Sequence, residues 1–160
     1  MSRAAAVLLL LLLAPLAADA AAVCRMLSGG SLAFGSYDLL ARAPRDSQTS
    51  VSISCETTGS AQTVLVSLRV DQGLNGSSIA SRRMLHTSGT GDALAYGLFR
   101  DPARSSVWGV SDGIDTMTAA LSVPSLGAAV ASFTIYGRIP AAQNARVGNY
   151  SDAVQITINY

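Results

Sequence analysis

Val64-Leu65-Val66-Ser67-Leu68-Arg69-Val70 decides the fold. Val64, Val66, Leu68 and Val70 stand at every second position, with Leu65, Ser67 and Arg69 between them. A period of two puts the four apolar side chains on one face of an extended strand and turns the other face towards water. A helix would scatter the same residues around its axis. The pattern recurs outward from this stretch. Val51, Ile53 and Cys55 alternate with serines. Leu94, Tyr96 and Leu98 alternate with Ala95, Gly97 and Phe99. Phe133, Ile135 and Ile139 obey the same rule, and Val154, Ile156, Ile158 and Tyr160 alternate with Gln155, Thr157 and Asn159.

Turn residues separate these runs: Ser28-Gly29-Gly30, Thr58-Gly59-Ser60, Gln72-Gly73, Asn75-Gly76, Ser88-Gly89-Thr90-Gly91, Asp101-Pro102 and Ser111-Asp112-Gly113. Ala41 to Gln48, with two arginines and Pro44, reads as a loop. No repeat or heptad pattern interrupts the series. Lysine is absent and glutamate occurs once, as Glu56, which weakens any case for helices. The expectation is an all-β chain, a sandwich or small barrel.

The first residues carry the marks of an export leader. Arg3 precedes an apolar run from Ala4 to Leu13, Pro15 ends it, and small residues come after. Ala18-Asp19-Ala20 and Ala20-Ala21-Ala22 both fit the small-x-small cleavage rule, which places the leader at 1–20 with cleavage within 20–22. The run is shorter than the roughly 20 residues a bilayer span needs. The remaining stretch, 21–160, suits a single domain. The net charge of +1 gives no footprint for nucleic acid. In an exported chain Cys24 and Cys55 are expected to pair rather than stay as buried thiols. Closing that loop is worth roughly 3.5–4 kcal/mol on the chain-entropy model.

Little in the sequence points to chemistry. His86 is the single histidine, so a metal site with several imidazoles is not available. Ser81 and His86 could in principle pair with an Asp, but a lone histidine beside serine and threonine reads as a solvated loop residue. Asp112 and Asp115 fall short of a calcium-loop pattern. Gly89-Thr90-Gly91 is only a fragment of a phosphate loop. Asn75-Gly76-Ser77 and Asn149-Tyr150-Ser151 match the glycosylation sequon, which matters only in a eukaryotic secretory route. Trp108, the sole tryptophan, reads as a packing residue before a sugar-gripping one. The expectation is a protein that binds, with no enzyme activity and no cofactor.

Several tracts together resemble the spore coat protein U domain family, which includes subunits of archaic (Csu-type) chaperone–usher pili. They are Cys24; Leu32-Ala33-Phe34-Gly35-Ser36-Tyr37-Asp38; Val51 to Cys55; Arg82-Arg83-Met84; Leu94 to Asp101; Val107-Trp108-Gly109; Ile135 to Pro140 with Gln143; Val147 to Asp152; and Val154 to Tyr160. Each is weak alone, but together they cover nearly the whole chain after the leader.

The resemblance implies a secreted bacterial subunit with an incomplete immunoglobulin-like sandwich that lacks its last strand. A periplasmic chaperone first fills the gap. A sister subunit's N-terminal segment then replaces it as an outer-membrane usher builds the fibre, by donor-strand complementation. The resemblance also implies that a Cys24–Cys55 disulfide ties the first strand to the second. The edge awaiting a partner strand would be Val154, Ile156, Ile158 and Tyr160, since the last apolar run has no further strand after it. At most Ala21, Ala22 and Val23 precede Cys24 after cleavage, too few for a donor arm. A fibre-end adhesive position or a coat role is therefore expected, with a surface or glycan as possible ligand. Two alternatives stand beside this. One is a self-contained secreted binding module, for example for carbohydrate. The other is a sandwich completed by the chain's own Ala119 to Val123.

Overall fold

The structure is a computed structural model that describes residues 20–160; residues 1–19, and with them the expected leader, lie outside the described residues. Ten strands succeed one another: β1 (Val23–Ser28), β2 (Arg45–Glu56), β3 (Gln62–Val70), β4 (Arg83–His86), β5 (Ala93–Ala95), β6 (Gly97–Phe99), β7 (Met117–Val123), β8 (Ala128–Ile139), β9 (Tyr150–Ser151) and β10 (Ile156–Asn159). All pairings are antiparallel. The protein is an all-β, immunoglobulin-like sandwich. One sheet has the order β1-β2-β8-β6 and the second β10-β3-β7, with a small third sheet, β5-β4-β9, beside them.

The alternation read from the sequence sets the core. Val64, Val66, Leu68 and Val70 on β3 are buried. Val51, Ile53 and Cys55 on β2 and Phe133, Ile135 and Ile139 on β8 meet them from the facing sheet. Each such side chain contributes about 1.5–3 kcal/mol when fully removed from water. Gly137 takes an inward position on β8 where a Cβ would overlap Leu32 and Phe34. Its bare backbone lets the stretch after β1 lie directly on the sheet.

Three local readings change. Arg45 to Gln48 is strand, not loop, because β8 is long enough to pair with it from Ile139 inward. Asp46 there accepts from Arg138 across the ladder at 2.7 and 2.8 Å. The Leu94–Phe99 run keeps its buried face but divides at Tyr96. β5 pairs with β4 in the small sheet and β6 with β8 in the large one, while the Tyr96 N–H turns to the Arg82 carbonyl at 3.0 Å. The last run is regular only over Ile156–Asn159. The Gln155 N–H bonds the Asp71 side chain instead of a backbone carbonyl, which ends the ladder there.

Candidate functional site

The two facing sheets each end in an edge strand on the same side of the molecule, β1 in one and β10 in the other. Between them lies an open groove of about 440 Å³. Met26 of β1, Val154 and Ile156 at β10, Leu98 and Ile135 from the core, and Leu32 and Phe34 from the intervening stretch line it. It adjoins a second cavity of about 620 Å³ that shares Leu32, Phe34 and Met84 and is walled by Leu94, Ile139 and Tyr150.

In an immunoglobulin constant-type sandwich one sheet has the strand order A-B-E-D and the other C-F-G. β1-β2-β8-β6 matches the first, and β3 with β10 supplies C and F. Among the described residues no strand lies beyond β10. Ala119 to Val123 belong to β7, which pairs with the opposite side of β3 and so does not fill the groove.

The free side of β10 can be read residue by residue. The Ala153 and Gln155 carbonyls accept from Leu74 and Asp71 at 3.0 and 3.1 Å, and Thr157 and Asn159 stand opposite Arg69 and Ser67. Backbone groups alternate sides along a strand. Val154, Ile156 and Ile158 therefore turn their N–H and C=O groups to the open edge. Their side chains are half-buried over the core, while Gln155 and Thr157 are exposed. Tyr160, grouped with them from the sequence, lies past the strand and is exposed.

A polar cluster lies behind the groove and reaches its wall through Tyr96 and Asp152. Arg82 is fully buried and donates only to backbone carbonyls: Val70 at 2.9 Å, Asp71 at 2.8 and 2.6 Å, Ile79 at 3.0 Å and Trp108 at 2.7 Å. Burial lowers its pKa, opposed by Tyr96 and by the Asp71, Asp115 and Asp152 carboxylates. Asp152, on the groove wall, accepts from the Tyr96 hydroxyl at 2.7 Å and from the Asn75 side chain and backbone at 2.8 and 3.2 Å. Burial first, then this carboxylate, pushes the Tyr96 hydroxyl up. Gly73, at φ +80, leaves room for Asp152 where any Cβ would collide with it. Trp108 is buried and its indole N–H donates to the Leu68 carbonyl at 2.9 Å.

The stretch after β1 crosses the groove floor without joining a ladder. Side chains hold it instead: Ser47 and Arg45 donate to the Ala33 and Phe34 carbonyls at 2.7 and 2.6 Å, and Tyr37 donates to Pro140 at 2.8 Å. Phe34 meets Tyr96 edge to face.

Cys24 and Cys55 form a disulfide between register partners on β1 and β2. The other polar candidates do not converge. Ser81 bonds Ser77 and Ser78, whereas His86 is the last residue of β4, bonded to Val147 and Ser88 and edge-on to Tyr150. Asp112 pairs with Arg69 and Ser67. Asp115 accepts from the Ser111 N–H at 2.6 Å. Among the described residues no group of three or more His, Cys, Asp or Glu could hold a metal ion.

Three comparisons bear on kinship. The family model described as Spore Coat Protein U domain matches residues 10–157. Protein U of Myxococcus xanthus is 31% identical over 142 residues, covering 82% of this chain and 73% of that protein. A solved chain described as "Chaperone-tip adhesin complex is vital for synergistic activation of CFA/I fimbriae biogenesis" superposes with a TM-score of 0.42 at 12% identity, over 84% of this chain and 41% of that one. This chain thus spans less than half the length of that structure. On the family match, reinforced by Protein U, the chain belongs to the Spore Coat Protein U domain family.

Proposed function

We propose that this protein is an exported subunit of a bacterial surface assembly that accepts a partner's β-strand in the groove between β1 and β10. The observation that carries the reading is the pairing of an apolar groove with a free strand edge. Val154, Ile156 and Ile158 present unpaired backbone groups along the edge, and the side chains of Val154 and Ile156 line the gap. A strand that inserts there gains main-chain hydrogen bonds from the edge and specificity from alternate side chains in the groove. The partners in this reading are a periplasmic chaperone, an outer-membrane usher and sister subunits, and the route runs through the periplasm to the cell surface.

The chain acts as acceptor and not donor. Ala22 is buried, so the short stretch just ahead of Cys24 serves its own fold. Such a subunit occupies a fibre end or a coat layer. The test is to mix the purified protein with a chaperone-bound sister subunit. Capping by the sister's N-terminal strand is expected, without self-polymerisation. A stable monomer that ignores the sister strand and binds glycan would replace this reading with that of a self-contained module.

A further inference from the structure

We propose that β7 is a second and independent contact edge, and that its partner is β7 of another copy of this chain, paired antiparallel across a two-fold axis at Ala120. The six strands that end the three sheets are β1, β6, β10, β7, β5 and β9, and β7 is the longest of them, with seven residues. Exposed edges are normally blunted by charge, proline, a bulge or shortness. β1 carries Arg25 and a register slip, and the others have four residues or fewer. Met117-Thr118-Ala119-Ala120-Leu121-Ser122-Val123 has none of these devices.

Register says which groups are free. The Val70 N–H bonds Gly109, away from β10, while the Asp71 N–H bonds the Gln155 carbonyl beside β10. By alternation the even-numbered residues of β3 bond β7, and their partners there are Met117, Ala119, Leu121 and Val123. Thr118, Ala120 and Ser122 are left with N–H and C=O groups directed outward. Their side chains are exposed, small and uncharged.

The alternation of exposed and inward residues is symmetric about Ala120. A two-fold axis there sets Ala120 against Ala120, Thr118 against Ser122 and Ala119 against Leu121. The hydrogen-bonded pairs of this register use the same three residues that β3 leaves free. Hydroxyl meets hydroxyl in each Thr118–Ser122 pair, a favourable cross-strand combination. No charge of either copy opposes its like along the strand, and the nearby Arg69 and Asp112 neutralise each other. The product is one continuous sheet, β10-β3-β7-β7-β3-β10, with a groove at each far end still open.

The experiment uses the exported chain and single cysteine variants. The native disulfide leaves no free thiol, so an introduced cysteine reports alone. A hydrogen-bonded antiparallel pair holds its Cα atoms about 5.5 Å apart, within disulfide reach. Ala120→Cys should cross-link to itself under mild oxidation. Thr118→Cys and Ser122→Cys should cross-link only when mixed with each other. Sedimentation should find a concentration-dependent dimer, lost in Ala120→Lys with the melting temperature kept. A monomer throughout the micromolar range would overturn the proposal. So would self-cross-linking of Thr118→Cys as fast as that of Ala120→Cys, or a dimer that groove-side Ile156→Asp abolishes and Ala120→Lys does not.

Discussion

Arg82 has no solvent exposure, and its guanidinium donates to backbone carbonyls from three separate stretches of chain. Removing it would strand several buried acceptors at once, each costing about 1–3 kcal/mol. Arg82→Met should lower stability by about 3–5 kcal/mol, measured by urea unfolding. Arg82→Lys should recover little, because a point ammonium cannot reproduce the planar fork. Asp112 gives a pH test. The Arg69 guanidinium, then Ser67, holds its carboxyl down at about 2, below the unfolded value of about 4. A lowered folded value gives stability that is complete above the unfolded value and lost as pH falls through the folded one. Asp112→Asn should therefore lower the melting temperature slightly at neutral pH, where this exposed pair's contribution is complete, and flatten its fall from pH about 4 to about 2. Neither residue was legible from the sequence in this role. An arginine in a pair such as Arg82-Arg83 carries no periodic mark of burial, and its acceptors are carbonyls brought together only by the fold.

At the scale of elements, alternation was a reliable guide where both neighbours of a strand are strands. Val64 to Val70 and Phe133 to Ile139 bury the expected faces because β3 and β8 are flanked on each side. It was less reliable where a side chain breaks the ladder, as Asp71 does for Gln155. It also missed Arg45 to Gln48, whose polar composition hid a pairing dictated by the length of β8. β10 tests the reading of its two faces. Ile156→Asp places a charge over the apolar groove and should cost upwards of about 2 kcal/mol or abolish assembly. Thr157→Asp lies on the exposed face and should stay within about 0.5 kcal/mol. The opposite order of severity would mean that the strand is turned by one residue.

For the molecule as a whole, the sandwich class was legible and the groove only in part. The apolar edge could be read from the alternation of Val154, Ile156 and Ile158, but not the floor that Leu32 and Phe34 build over Gly137. Those two residues sit in a stretch that no ladder holds, so no periodic signal marks them. Filling the groove should stabilise the protein strongly. Three apolar side chains at about 1.5–3 kcal/mol each give roughly 5–9 kcal/mol before ordering costs. That is comparable with the whole stability of an ordinary domain, about 5–15 kcal/mol. A fused or added apolar strand should therefore raise the melting temperature by upwards of about 10 °C in calorimetry. The disulfide works on the other end of the same balance. Cys24→Ser should cost roughly 3.5–4 kcal/mol by freeing the loop in the unfolded chain.

The alternating backbone of β10 also has a spectroscopic consequence. Its amide protons are not equivalent: those of Thr157 and Asn159 are locked against β3, while those of Ile156 and Ile158 face the empty side. In deuterated water the strand should lose its signals in alternate order, Ile156 and Ile158 fading first. A bound strand should slow those two and leave Thr157 and Asn159 as they were. The isotope pattern along four residues would then read whether the groove is filled without any need to see the occupant.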